Sequence, residues 1–304
     1  MHKPDFDNIL SILSNKKPKR STLFEFAINQ PQRFFKDQLY FFNSTDLLAI
    51  HRTNIYAFHH LGYDYVPVPS WETNTLTFPT SGFDQKDSRS LNEGAIISDQ
   101  ASFENYPWPD PDTGDYSIFE TLDKELPDGM KLICNGHGGV LENVINLVGF
   151  DNLCIMLFEN EKLVKNIFDA IGSRFVRYYE ICAGIDCIGA CISNDDWGFK
   201  TQTMLSPDML RKYVFPWHKK IVEVIHKAGK PAILHSCGNL EKVMNDVIHE
   251  MKYDAKHSFE DSILPVEDAY ETWGSHIAIL GGIDLDFLCS KSEHDIYERS
   301  RTCS

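Results

Sequence analysis

Apolar and polar positions fall into blocks along the chain, and the period changes from block to block. Residues 5–14 place Phe6, Ile9, Leu10, Ile12 and Leu13 at helical spacing. Thr22-Leu23-Phe24-Glu25-Phe26 is a compact strand candidate with a carboxylate near its end. A helical region runs from about Pro31 to Leu61 and stops at Gly62, and Tyr63 to Pro69 reads as the next strand. From Met130 the rhythm is regular. Lys131 to Cys134 is a strand that enters the glycine-rich turn Gly136-His137-Gly138-Gly139, and residues 140–183 hold two or three helices. Cys187 to Ser193 is a strand with the acidic tip Asn194-Asp195-Asp196. Ser206-Pro207-Asp208 opens a helix, Ser as N-cap and Pro at the first helical position, and that region continues to Lys227. Lys230-Pro231-Ala232-Ile233-Leu234 is a short buried strand ending in His235-Ser236-Cys237-Gly238-Asn239, followed by a helix over 240–250. Tyr253 to Glu260 and His276 to Asp284 are the last two strands.

Short buried strands alternating with helices predict a parallel α/β sheet. Seven strand candidates lie near residues 22, 63, 131, 187, 231, 253 and 276. One more strand completes a (β/α)8 TIM barrel, so the expectation is a single barrel domain over 1–304 with its last strand region missing from the chain. An open doubly wound sheet is the alternative, but no Gly-x-Gly-x-x-Gly follows the first strand. Residues 70–130 break the rhythm. They are rich in Thr, Ser, Asp, Pro and Gly and predict hairpins and an irregular excursion over one end of the body. Trp71, Phe78, Phe83, Ile96, Ile97, Phe103, Tyr106 and Trp108 make this stretch too apolar for a disordered linker.

Composition narrows the function classes. The 304 residues carry a formal net charge of −15, which disfavours a phosphate backbone as partner. The basic run Lys16-Lys17-Pro18-Lys19-Arg20 is short and reads as a solvated loop. No stretch is long and apolar enough for a transmembrane helix, and the N-terminus lacks the apolar core of a signal peptide. The eight cysteines show neither a Cys-x-x-Cys pair nor a disulfide framework, which fits a reducing cytoplasm.

Polar residues gather where the strands end: Glu25, His137, Asp195, Asp196, His235, Cys237, His257, Glu260 and Asp284. In a barrel these tips form the active face. His235 and Cys237 are two apart, so on a strand they point to one side, and an imidazole with a soft thiolate is half of a zinc site. The same two residues could equally close a core strand, as a buried cysteine and a hydrogen-bonded histidine.

Leu234-His235-Ser236-Cys237-Gly238-Asn239, Asn194-Asp195-Asp196-Trp197-Gly198, Ser206-Pro207 with Phe215-Pro216, and Gly281-Gly282-Ile283-Asp284 together resemble the uroporphyrinogen decarboxylase superfamily. More narrowly they resemble its corrinoid-dependent methyltransferase branch, and the opening stretch from Pro4 to Phe26 is similar to that family's usual start. The resemblance implies a (β/α)8 barrel and a cytoplasmic enzyme. True decarboxylases of this type use an N-terminal arginine-bearing motif to hold substrate carboxylates. Here Glu25 is followed by Phe26, Ala27 and Ile28, and Arg33 comes later, alone. The methyltransferase branch implies zinc held by a His-x-Cys pair, matched by His235 and Cys237, with a later Cys and an acidic residue as further ligands. The later Cys falls beyond the region where Cys289 and Cys303 stand, and neither is a good substitute. The implied partners are a protein carrying a corrinoid (cobalamin-type) cofactor and a small methyl acceptor, either a thiol or a tetrahydropterin. Asp195, Asp196 and His137 are then the candidate catalytic residues, and Glu25, His257 and Asp284 the candidate substrate-binding ones.

Overall fold

Ile188–Asn194 is the strand on which the sheet is centred. Its sequence, Ile-Gly-Ala-Cys-Ile-Ser-Asn, is small and apolar on both faces, as a parallel strand covered on both sides requires. A computed structural model describes residues 2–28, 46–70, 73, 75–80, 91, 92 and 95–302 of the protein. In it β1 (Tyr65–Pro69), β2 (Lys131–Asn135), β3 (Ile188–Asn194), β4 (Ala232–His235), β5 (Ala255–His257) and β6 (Ala278–Ile279) form one sheet. Every pair is parallel and the order is β1-β2-β3-β4-β5-β6. Strictly sequential order is the winding of a TIM barrel, whereas a doubly wound sheet reverses at its switch point. Among the described residues the sheet is open between β6 and β1.

The strand predicted at Thr22 to Phe26 is not one. The segment carries no strand and joins no ladder. Pro67 and Pro69 lie two apart on edge strand β1, and each lacks the N–H that a neighbouring strand would need. The Tyr65 hydroxyl takes over that role: it accepts from the Glu25 N–H and donates to the Glu25 carbonyl, both at 2.6 Å.

The helices are α1 (Asp7–Leu13), α2 (Leu47–Leu61), α3 (Gln100–Asn105), α4 (Ser117–Asp123), α5 (Val140–Val148), α6 (Phe150–Glu159), α7 (Glu161–Ala183), α8 (Pro207–Met209), α9 (Phe215–Lys227), α10 (Val266–Trp273), α11 (Leu285–Ser290) and α12 (Glu293–Thr302). Ser206 caps α8 through the Met209 N–H, and π-helical turns over Leu210–Val214 carry α8 into α9. The helix expected over 240–250 is instead a 3₁₀ turn followed by π-helical turns over Asp246–Met251. The excursion expected as hairpins carries no strand among its described residues. It holds the short helices α3 and α4, and Ile97, Phe119 and Leu122 drop fully buried side chains into the common core. Residues 31–45 of the expected first long helix, with Arg33, and also Trp71, Phe83 and Cys303, lie outside the described residues. No single described helix is long and apolar enough to cross a membrane.

One carboxylate ties these layers together at the tip of β3. Asp195 is fully buried and accepts the main-chain N–H groups of Leu141 and Glu142, both at 2.9 Å, so it anchors the N-terminus of α5. Its Oδ2 also lies 2.9 Å from Nε2 of the equally buried His218 on α9. Because the carboxylate can only accept, Nε2 carries the proton, and Nδ1 accepts from the Tyr253 hydroxyl at 2.7 Å. Removing this carboxylate strands three buried donors. We expect Asp195→Ala to cost about 3 kcal/mol of stability in urea unfolding. A loss of under about 1 kcal/mol would show that the anchor is dispensable.

Candidate metal centre

β3, β4 and β5 end side by side, and their register sets Asn194 opposite His235 and His235 opposite His257. The chain beyond β4 is locked at once. The Ser236 N–H donates to the His257 carbonyl at 2.7 Å, and the buried Ser236 hydroxyl accepts from the Trp197 N–H at 3.2 Å. The segment Asp196-Trp197-Gly198 meets Cys237-Gly238-Asn239 glycine to glycine. A Cβ on Gly238, whose φ is +83°, would stand 2.1 Å from the Gly198 carbonyl oxygen. This contact lets the Asp196 carboxylate accept the Cys237 N–H at 2.7 Å.

Three donor atoms thereby converge. One carboxylate oxygen of Asp196, a ring nitrogen of His235 and the Cys237 sulfur all lie within 4.8 Å of one another, with His235 Nε2 3.8 Å from Cys237 Sγ. On the other side of the imidazole, His235 Nδ1 is 2.7 Å from His257 Nδ1. If the His235 Nδ1–H donates across that contact, Nε2 presents its lone pair toward Cys237. Phe26 stacks on the His235 ring with centroids 4.5 Å apart, and Phe24 packs against His257 at 5.4 Å. The unladdered segment 22–28 therefore forms an aromatic wall of the site. The Ser258 hydroxyl sits 3.6 Å from the Cys237 sulfur.

Burial dominates the electrostatics. It pushes His235 down to about 4 and His257 down to about 3, the latter helped by the neighbouring His235. It pushes the Cys237 thiol up to about 12, with the Asp196 charge adding to the effect. A bound cation inverts this logic by stabilising the thiolate. The donor set of one oxygen, one nitrogen and one sulfur, on three half-buried residues, fits zinc, which takes Cys, His and carboxylate ligands and keeps a position for substrate in catalytic sites.

The structure brings together Asp196, His235 and Cys237, with His257 touching His235; it does not bring the other candidates to this cluster. Asp195 is the buried anchor described above, because consecutive residues at a strand tip face opposite ways. His137 stands in an exposed turn at the tip of β2, and its carbonyl accepts from Asn143 Nδ2 at 2.8 Å. The Glu25 side chain folds back onto the Phe26 N–H at 2.9 Å, and its neighbours Phe24 and Phe26 make the ring contacts. Asp284 caps α11 through the Asp286 N–H at 2.7 Å and accepts the Asp261 N–H at 2.9 Å. Cys289 is exposed on α11.

Two residues escaped the sequence reading. Glu142, at the start of α5, accepts from the Gly139 N–H at 3.0 Å and from Asn194 Nδ2 at 3.1 Å. Burial, reinforced by Asp195 and Asp196, pushes its carboxyl up to about 8. Lys256, inside β5, is buried, and burial pulls its amine down to about 8. Lys256 stands among the polar residues Asp254, His257, Ser258 and Glu260, so the sequence does not single it out; nothing near Glu142 in sequence announces the two aspartates that the fold places beside it.

A parallel β/α sheet of barrel winding with polar donors at its C-terminal tips is the architecture of a barrel enzyme. The uroporphyrinogen decarboxylase (URO-D) family matches residues 93–304, and the chain belongs to that family. By fold it is similar to a methyltransferase from Methanosarcina mazei, with a TM-score of 0.67 and 12% identity, covering 90% of this chain and 82% of that one. At that identity the likeness speaks for the fold. No curated protein matches the sequence.

The two depressed histidines set an acid dependence. Both lie below the ordinary 6.5, so the unfolded chain binds more protons and stability falls as pH drops from about 6.5 toward 4. In chelator-treated protein, urea midpoints over that window should fall less steeply for His257→Gln than for wild type. Equal slopes would mean that the pair does not titrate as described.

Proposed function

We propose that this protein is a zinc-dependent methyltransferase that moves a methyl group from a methylated corrinoid carried by a partner protein to a small acceptor, a thiol or a tetrahydropterin. The observation that carries the reading is the convergence of Asp196, His235 and Cys237 at adjacent strand tips. Family membership and the likeness in fold to a methyltransferase support it. A reducing cytoplasm suits it, since its cysteine sulfur must stay unoxidised.

Asp196, His235 and Cys237 would hold the ion. Zinc at such a site supplies charge that keeps an incoming thiol in its nucleophilic thiolate form near neutral pH. The chain's own residues do the rest. His257 fixes the orientation of His235 through the 2.7 Å contact between their Nδ1 atoms. Asp196 holds the Cys237 main chain while offering its carboxylate to the same centre. Ser258 places a hydroxyl 3.6 Å from the Cys237 sulfur, within reach of a polar group on the acceptor. Phe24 and Phe26 keep water from the histidine pair and present a flat apolar surface.

A decarboxylase of uroporphyrinogen type is the competing reading, and it needs no metal. It finds little support: among the described residues of the segment at 21–28 there is no arginine to meet substrate carboxylates, and Arg20 is paired with Asp64.

Metal analysis separates the readings. We expect one zinc per chain in wild type and loss of most of it in a folded Cys237→Ser variant, with methyl transfer from methylcobalamin to a small thiol falling by about a hundredfold or more. A metal-free, folded wild type that turns over uroporphyrinogen would replace this reading with the decarboxylase. A metal-free protein inert in both assays would make it a non-catalytic barrel.

A further inference from the structure

Lys256 and His257 are consecutive in β5, so their side chains leave opposite faces of the sheet. His257 turns toward the metal centre. Lys256 turns toward the helices and lines a cavity of about 140 Å³ between the chain that follows β4 and the chain that follows β5. The residue is only 3% exposed. Its partners are the Ser258 carbonyl, to which it donates, and the Phe259 ring, whose centroid lies 3.9 Å from Nζ. No carboxylate of the described residues forms an ion pair with it. A buried ammonium with spare donors is expensive unless something of opposite charge reaches it.

The same cavity wall holds Glu260. One of its carboxylate oxygens accepts the Gly238 N–H at 3.2 Å, and the side chain makes no ion pair among the described residues. The cavity wall thus presents a buried cation, Lys256, and a carboxylate, Glu260, that are not paired with each other; the exposed Glu241 also lines it. Leu240, Met244, Ile263 and Leu264 supply the apolar remainder. A ligand that is only an anion would meet Lys256 but face Glu260 in the same wall; a ligand that is only a cation would face the reverse. A molecule with both signs on neighbouring atoms satisfies both. A cavity of about 150 Å³ takes a body of roughly six carbon atoms.

We propose that this cavity binds a free α-amino acid with a small apolar side chain. Its carboxylate meets Lys256, its ammonium meets Glu260, and its side chain packs on Leu240, Met244, Ile263 and Leu264. The site adjoins the metal centre, but its lining includes none of Asp196, His235 and Cys237, and it does not require zinc there. The cavity shares Ser258 with the Cys237 contact, so an occupant would press on the metal site through one residue.

Calorimetric titration of the full chain with L-alanine, L-valine and L-leucine tests this. At least one should bind saturably. N-acetyl-L-valine, which lacks the ammonium, and L-valinamide, which lacks the carboxylate, should each bind about tenfold more weakly than valine or worse. Lys256→Met and Glu260→Gln should each weaken the amino acid by a similar factor. Should Lys256→Met fail to fold, the two derivatives on wild type and the Glu260→Gln variant decide the matter. Absence of saturable binding by all three amino acids overturns the proposal, as does equal binding of valine and its singly charged derivatives.

Discussion

Asp195 and Asp196 are neighbours in sequence with opposite surroundings, and the candidate site depends on that division. The Asp195 carboxylate is sealed under α5, where two main-chain N–H groups and His218 use its acceptor capacity. Held there, it leaves the next residue no direction but outward, across the tip of β4. Asp196 then meets Cys237, and the close passage of Gly198 over Gly238 keeps the two segments at that distance. A buried carboxylate that is fully hydrogen-bonded is rigid, and rigidity is what a centre with tolerances of tenths of an ångström needs.

Around this point the energetic conflict is between burial and charge. The imidazoles of His235 and His257 are driven neutral and the Cys237 thiol is kept protonated, both chiefly by lost solvation. The Asp196 carboxylate lies close by, on the Cys237 N–H. Such a cluster is poised to take a cation, because a single divalent ion would satisfy the carboxylate, the imidazole nitrogen and the sulfur at once. On the other face of β5 Lys256 is a buried cation, and Glu260 in the same cavity wall makes no ion pair with it among the described residues.

The α/β class, the positions of β1 through β6 and the start of α8 at Ser206-Pro207 were legible in the sequence, because buried parallel strands read as short apolar runs and caps use recognisable residues. The run at 22–26 misled, since apolar character predicts extension but cannot tell whether a neighbour with free N–H groups exists; Pro67 and Pro69 deny it one. The hairpins expected in the excursion failed for the same reason: turn-rich composition marks breaks in the chain without saying what lies between them. His235 and Cys237 could be paired from their spacing. Asp195 and Asp196 could not be told apart, since the difference lies in the long-range contact with α5, more than fifty residues earlier. Phe24 and Phe26 reach the histidines only through tertiary placement, and Glu142 meets the aspartates the same way.

Zinc-dependent methyl transfer at these strand tips requires sulfur, imidazole and carboxylate to share one ion. X-ray absorption at the zinc edge of the purified, zinc-loaded full chain measures this directly. The prediction is a mixed shell with one sulfur at about 2.3 Å and the remaining nitrogen and oxygen ligands at about 2.0–2.2 Å. A shell of light atoms alone, unchanged when Cys237 is replaced by Ser, would contradict it.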